Sequence, residues 1–400
     1  MKIALIKEGK FPIDKRVILT PKQCEIFSRN YPDIEIVVQS CLYRCFSDKE
    51  YISYGVEVVD DISDCDILFG VKEVPLNALI ANKSYFFFSH TIKEQPYNRN
   101  LLLRMINLNI RMIDYEVLKG STGNRLLGFG RYAGVVGCYN GFLAYGMRTK
   151  RFSLKAANLC KDRRELESEL KKINLPNIKI IVSGNGKVGK GALEIIHTLG
   201  IKEVSIDDFK YKQFNDPVYV HIDFPDYNVR KDSSKFIVDE FLLKPELYSS
   251  SFMQYASCAD VFIAGHYYGK NSPYLFTRKD AKSPDFKIKT IADISCDIDG
   301  PVASTIRSST IEDPVYGYNR FTESEDDYDI DDAITVMAVD NLPCELPKDS
   351  SEDFGNQMLK NVFPLLLIED RDRIIDNATI CNGGDLTLEF EYLRNYIQKN

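Results

Sequence analysis

No stretch of this 400-residue sequence approaches the eighteen or more uncharged apolar residues that a membrane-spanning helix needs, so a membrane partner is not expected. The opening apolar run is too short for a signal-peptide core and meets Lys7 where such a core should continue. A cytoplasmic protein is expected. Long basic runs are also missing and the formal charge is −7, so the chain lacks the electrostatic footprint of a nucleic-acid binder. The motif C-x-x-C does not occur. The ten cysteines are scattered, Cys41 and Cys45 being closest, and read as reduced, mostly buried thiols. Four histidines, His90, His197, His221 and His266, are too few and too dispersed for a metal cluster, and no zinc or calcium site is expected. What remains is a globular chain with 44% apolar residues, long enough for two or three domains.

The clearest signal is the stretch from Ile178 to Ile196, an apolar run that breaks into Gly184-Asn-Gly-Lys-Val-Gly189 and resumes at helical spacing. It reads as strand, tight turn and helix. Gly184 and Gly186 let the backbone turn and approach a pyrophosphate, Gly189 lets helix and strand pack closely, and Lys187 and Val188 open a helix whose N-terminus favours an anion. This is a dinucleotide cradle. A second apolar run ends in Asp207 and Asp208 about twenty residues later, the distance at which a carboxylate takes the ribose hydroxyls. These aspartates favour NAD by repelling a 2′-phosphate, whereas Lys210 and Lys212 lie near enough in sequence to accept one, so NADP stays possible.

Residues 1 to about 135 alternate strand-like runs, Ile3–Ile6, Ile34–Val38, Val56–Val59, Ile67–Val71, Tyr85–Phe88 and Ile110–Ile113, with helical segments. One of these is Pro21–Tyr31, with Thr20 as N-cap and Pro21 at the first helical position. This domain has no phosphate loop and should carry the substrate. Small and apolar residues from Val135 to Ala157 predict a long helix crossing between domains, and the charged segment Lys161–Lys172 predicts a solvated one. Strand-like runs then recur at Val204–Ile206, Val261–Ala264, Thr290–Ile294 and Ala333–Val339, the spacing of a doubly wound parallel sheet. Lys210–Lys244 looks like an insertion on that sheet's rim, and Glu323–Asp332 like an exposed acidic loop. A final helix near Ser351–Leu367 would return the chain to the first domain. The expected fold is therefore α/β, with two Rossmann-like domains separated by a cleft: 1–136 with 346–400 for substrate, and 137–345 for the dinucleotide.

Four stretches of the first domain put polar residues at strand ends, where open α/β sheets form their ligand crevices. Arg16 stands between a loop and a helix start, either gripping a carboxylate at two points or packing its stem on the surface. Lys72 follows a buried strand, where partial desolvation lowers an ammonium pKa toward that of a general base, unless the side chain snorkels. His90 ends an aromatic strand with Lys93 and Gln95 one turn on, suited to proton transfer near neutral pH or to a capped core position. Glu116 ends another strand and either holds an amine or forms a structural ion pair. Together, a carboxylate grip, an amine-binding acid and a Lys–His pair for protons are what reversible hydride reduction of an imine needs, with an amino dicarboxylate as substrate.

At these residues the sequence resembles the alanine dehydrogenase and saccharopine dehydrogenase superfamily, over nearly the whole chain. It is most similar to the lysine-forming saccharopine dehydrogenases and the lysine 2-oxoglutarate reductase domain of bifunctional lysine-degrading enzymes. The matching motifs are Arg16-Val-Ile-Leu-Thr-Pro21, Gly70-Val-Lys-Glu-Val-Pro75, Phe87-Phe-Ser-His-Thr-Ile-Lys-Glu-Gln95, Asp114-Tyr-Glu116, Phe129-Gly-Arg-Tyr-Ala-Gly134, the glycine cradle, Asp293-Ile-Ser-Cys-Asp297 and Asp340-Asn-Leu-Pro343. The resemblance implies Lys72 and His90 as catalytic residues and Arg16, Glu116, Lys93 and Gln95 as substrate contacts. It also implies that Asp297 faces the nicotinamide and that Asp340 belongs to the cofactor-binding set. The implied reaction is NAD(P)-dependent conversion of saccharopine to lysine and 2-oxoglutarate, or its reverse. Arg131 departs from the usual neutral or aromatic residue and, if it points into the cleft, would bear on the substrate tail. An alanine-dehydrogenase-like oxidoreductase is the alternative, which the Phe129–Gly134 segment argues against; a catalytically silent dinucleotide-binding protein is the other. Oligomeric state is not legible in the sequence.

Overall fold

A computed structural model describes residues 1–269 and 271–398, so the last two residues of the expected C-terminal segment lie outside the described residues. The chain divides into two compact units, Met1–Phe129 with the segment from Pro347 onward, and Gly130–Leu346.

The first unit runs β1 (Lys2–Leu5), α1 (Pro21–Asn30), β2 (Glu35–Gln39), α2 (Asp48–Ser53), β3 (Glu57–Val59), β4 (Ile67–Phe69), β5 (Ser84–Phe87), α3 (Pro96–Asn107) and β6 (Arg111–Asp114). Each of the six strand-like runs becomes a strand. They pair in parallel in the order β6-β5-β4-β1-β2-β3. A parallel sheet is covered on both faces, so its strands are apolar throughout. The aromatic strand β5 shows this: Phe86 packs into one core cluster and Tyr85 and Phe87 into the opposite one. Helix α1 begins as expected. The Thr20 hydroxyl accepts from the Gln23 N–H while the Gln23 side chain accepts from the Thr20 N–H, satisfying two otherwise orphaned donors.

The second unit begins with α4 (Gly130–Thr149) and α5 (Arg163–Leu170), and continues through β7 (Lys179–Ser183), α6 (Lys187–Thr198), β8 (Lys202–Glu203), α7 (Ile206–Tyr211) and β9 (Val218–Ile222). A small antiparallel pair, β10 (Asn228–Arg230) and β11 (Tyr248–Ser250), flanks α8 (Val238–Leu243). Strands β12 (Val261–Ala264), β13 (Thr290–Asp293), β14 (Val315–Asn319), β15 (Ser324–Asp326) and β16 (Ala333–Met337) complete the main sheet, ordered β15-β14-β16-β13-β12-β7-β9-β8. It is parallel from β16 to β8, with an antiparallel edge at β14 and β15. The chain then returns to the first unit through the helices Pro347–Asn361 and Phe363–Leu367, and β17 (Thr379–Asn382) pairs antiparallel with β6 and with β18 (Asp385–Leu386).

Several expectations are corrected. The long helix runs from Gly130 to Thr149 rather than from Val135 to Ala157. It stops because Lys150 adopts a left-handed conformation, φ 56°, and the chain folds back, bringing Phe152 against Gly146. The helix lies wholly in the second unit, so the first boundary falls at 129/130 rather than 136/137; the second falls at 346/347. The expected strand Val204–Ile206 instead leads from β8 into α7, which starts at Ile206 because the Ser205 hydroxyl accepts from the Asp208 N–H. Within Lys210–Lys244, taken as a rim insertion, Val218–Ile222 forms β9 next to β7 with four of its five residues buried. The acidic stretch Glu323–Asp332 includes the exposed edge strand β15. The final helix is two helices, interrupted where Pro364 cannot continue the hydrogen-bond ladder.

Helix α4 packs on α6 through glycines: a Cβ at Gly134 would lie 1.9 Å from the Val188 carbonyl oxygen, and one at Gly191 would lie 2.0 Å from that of Arg131. Neither oxygen belongs to a flexible side chain, so the helices must separate to admit a methyl group. Gly134→Ala is expected to destabilise the chain by about 2–3 kcal/mol, read as a lower urea midpoint at unchanged slope. An unshifted midpoint would show that the pair can part without cost.

Candidate active site

Four adjacent parallel strands of the first unit, β6, β5, β4 and β1, point their carboxyl ends to one edge. The loops leaving them carry Glu116, His90, Lys72 and Arg16. Residues a hundred positions apart in sequence thus share the edge where open parallel sheets bind ligands.

His90 lies three residues past the end of β5 in a left-handed conformation, φ 54°, at the N-cap position of the single turn Thr91–Lys93. Its Nδ1 lies 2.7 Å from Glu73 Oε1, and Lys10 Nζ lies 2.9 Å from Glu73 Oε2. Burial works against the Glu73 charge, but the hydrogen bonds from His90 and Lys10 win and hold its carboxyl at about 2. An ionised Glu73 can accept from the Nδ1–H and so fix the orientation of the ring, the arrangement of an acid-oriented histidine. Glu73 was not singled out from the sequence; its one signal there was adjacency to Lys72.

Arg16 is not a surface residue, and the carboxylate it grips at two points belongs to the protein itself. The side chain is buried, lies 4.1 Å above the Phe129 ring, and grips Asp14 at two points, Nε to Oδ1 at 3.0 Å and Nη2 to Oδ2 at 2.6 Å. Burial tends to raise the Asp14 carboxyl, yet Arg16, helped by the nearby Lys72 ammonium, holds it at about 2. Half-buried Lys72 therefore stands close to a permanent anion. Glu116 accepts from Arg125 at 2.8 Å through Oε1, with Lys93 Nζ at 3.8 Å, while its buried Oε2 has no hydrogen-bond partner among the described residues. Gln95 is exposed at the start of α3, where its carbonyl accepts from the Tyr396 hydroxyl.

In the second unit Gly184 (φ 98°) turns between β7 and α6, and a Cβ at Gly189 would lie 1.8 Å from the Gly184 carbonyl oxygen. Gly186 differs. Its φ is −77° and a Cβ there would meet nothing within 4 Å, so the protein's own packing does not require glycine. A ligand pressed on the backbone would. Gly186, Lys187 and Val188 line a cavity of about 630 Å³ that also takes in Asp223, Phe224 and His266. Burial pushes His266 down to about 4, leaving a neutral ring whose Nε2 has no hydrogen-bond partner among the described residues. A glycine needed only by a visitor, an orphaned ring nitrogen and a helix start fit a dinucleotide phosphate and its sugar.

Asp207 and Asp208 are not in that cavity. They sit in the first turn of α7, leading from β8, the edge strand, with β9 between β8 and β7, and they pair with Lys210 at 3.7 Å and Lys212 at 2.9 Å. The carboxylate at the end of the strand beside β7 is Asp223, missed because an extra helix and a two-residue strand double the usual spacing from the glycines. Asp297 and Asp340 are exposed in the turns after β13 and β16, at the same edge of the sheet as the glycine turn. Buried Asp293 orders the first of these turns by accepting from the hydroxyls of Ser295 and Thr305. Arg131, expected to contact substrate, lies on α4 of the second unit, its guanidinium drawn to Glu194 of α6 at two points, 2.7 and 2.9 Å.

The chain belongs to the alanine dehydrogenase/PNT family, whose N-terminal domain matches residues 4–136 and whose C-terminal domain matches residues 166–388. It is 29% identical over 448 aligned positions to the mitochondrial alpha-aminoadipic semialdehyde synthase of Mus musculus, covering 98% of this chain and 47% of that protein. The chain thus spans about half the length of this curated relative. To the NAD(+), L-lysine-forming saccharopine dehydrogenase of Schizosaccharomyces pombe it is 25% identical over 390 positions, covering 92% of each. The fold is that of a solved L-alanine dehydrogenase, TM-score 0.65 at 14% identity, covering 99% of this chain and 100% of the other. No helix among the described residues is long and apolar enough to cross a membrane.

Two outcomes are expected. Gly186→Ala should weaken NAD binding at least about tenfold in a fluorescence titration while changing stability by no more than about 1 kcal/mol; undiminished affinity would remove Gly186 from the site. Because the folded pKa of Glu73 is depressed, its contribution to stability is present above the ordinary carboxylate value of 4.5 and lost as pH falls toward about 2. The stability gap between wild type and Glu73→Gln, measured by urea unfolding, should therefore narrow from pH 6 to pH 3, and a constant gap would deny the pairing.

Proposed function

We propose that this chain is an NAD-dependent oxidoreductase that converts saccharopine reversibly to L-lysine and 2-oxoglutarate. The observation that carries the reading is the placement of Lys72, the Glu73–His90 pair and Glu116 along one carboxyl edge of parallel strands. The names of the relatives support the substrate. When bound, the dinucleotide supplies the acceptor for the hydride leaving the substrate carbon. Lys72, entering as the neutral amine, takes the proton from the secondary amine, so two hydrogens depart and an imine remains. His90, its Nδ1 proton held by Glu73, uses Nε2 to take a proton from water as the oxygen adds to the imine carbon. Protonation of nitrogen, with loss of the remaining hydroxyl proton as the carbonyl forms, then breaks the carbon–nitrogen bond and releases the two products. Glu116 attracts the cationic amine, with its orphaned oxygen awaiting a donor.

Cofactor preference falls to Asp223 in this reading. A carboxylate at the end of the strand beside the glycine turn accepts from ribose hydroxyls and repels a 2′-phosphate, which favours NAD over NADP. The first unit is the substrate domain and the second the dinucleotide domain.

An absorbance assay with saccharopine, with lysine plus 2-oxoglutarate, and with alanine, each with NAD and NADP, tests the proposal. Reduction of NAD by saccharopine is expected. Turnover of alanine alone would replace the substrate assignment, and silence with every pair would reduce the chain to a dinucleotide-binding protein. Lys72→Met should lower turnover at least about tenfold, and near-normal turnover would show that the proton goes elsewhere.

A further inference from the structure

Glu8 lies on the loop after β1 and has no part in the chemistry above, yet its side chain is spent on the turn that carries Lys72. It is 7% exposed, and its Oε1 accepts from the Val71 N–H at 2.6 Å while Oε2 accepts from the Lys72 N–H at 2.8 Å. The Glu8 backbone is held as well, since the Tyr43 hydroxyl donates to its carbonyl. A turn is ordinarily capped by a short side chain of its own loop. Here a buried carboxyl reaches from the loop after the neighbouring strand, and burying it is costly unless both oxygens find donors. Two consecutive amides fixed to one carboxyl cannot rotate independently, so the Cα of Lys72 is tied to the loop after β1 as well as to its own.

We propose that Glu8 is the positioning residue for Lys72, clamping its backbone through paired N–H bonds and so setting where its amine is presented on the sheet edge. The kinetic part rests on the role given to Lys72 above; the clamp itself does not. The groups facing the Glu8 carboxyl are Asp14 and Arg16; Lys7, Arg44 and Tyr51 line the same hollow, and Tyr43 and Tyr115 lie near enough to feel the Glu8 charge. Burial and then Asp14 push Glu8 up to about 8, against the two N–H donors and Arg16. Protonation puts an O–H on one oxygen and weakens one arm of the clamp.

The test compares wild type with Glu8→Gln, which keeps the shape and one acceptor but turns an NH2 toward the other amide. Competitive acetylation with acetic anhydride, quantified by mass spectrometry with exposed Lys22 as the internal standard, reads the Lys72 amine without substrate. The Lys72 labelling profile should shift by at least about half a pH unit, and kcat with saccharopine and NAD should fall about tenfold at unchanged dinucleotide affinity. A folded variant whose Lys72 profile and kcat stay within about twofold of wild type would overturn the proposal. Should the variant not fold, amide hydrogen exchange of the wild-type chain decides: exchange of Val71 and Lys72 about a hundredfold slower than in a free peptide supports the clamp, and free-peptide rates refute it. If wild type does not oxidise saccharopine, the functional reading fails while labelling and exchange still judge Glu8.

Discussion

The constraint on which the rest depends is parallel strand pairing. Strands that run the same way end on the same edge, and their connections must cross a face of the sheet to start again, so both faces are buried and the strand interiors carry little chemistry. Polar groups are pushed to the ends. In the first unit this gathers Glu8, Lys72, Glu73, His90 and Glu116 from four strands onto one edge, and in the second it gathers the glycine turn, Asp223, His266 and Asp297 onto another. The aromatic run Tyr85–Phe88 and its successor His90 are thus one pattern: maximal burial, then immediate polarity where burial ends.

Glycine serves two distinct needs. Gly134, Gly189 and Gly191 are demanded by the protein itself, since any side chain there would collide with a backbone oxygen. Gly186 is demanded by nothing in the fold. Close packing at the first group brings α4 and α6 together and fixes the start of α6, and only with that start fixed does the open backbone at Gly186 become a place where an anion can approach.

Much of this was legible in the sequence because apolar runs and caps are local. The six strands of the first unit, the start of α1 at Thr20 and the strand–turn–helix at Gly184 follow from neighbouring residues alone. What was not legible depends on order or phase. The rule that places an acid about twenty residues past the glycines assumes that the next strand is also the neighbouring strand; here β8 is next in sequence and β9 is next in space, so the carboxylate that follows the neighbouring strand is Asp223. The pairing of Arg131 with Glu194, sixty-three positions away, depends on the packing of α4 against α6 and has no local signal in the sequence. Arg16 was read without its partner because the fork with Asp14, two residues away, exists only in a particular turn.

A common arrangement runs through the first unit's edge: its charged groups are held by others supplied from nearby loops. Glu73 orients His90, Asp14 engages Arg16, Glu8 holds the backbone of Lys72, and Arg125 with Lys93 takes one oxygen of Glu116. Fixed partners remove the reorganisation that water would otherwise require when charge moves. The exception is informative. Glu116 Oε2 is buried and left without a hydrogen-bond partner, and an unsatisfied carboxylate oxygen in a protein interior costs more than a satisfied one. A cationic donor placed there would gain both its own hydrogen bond and relief of that cost, whereas a second anion would gain neither, so in the proposed reaction this oxygen would discriminate by charge before any proton moves.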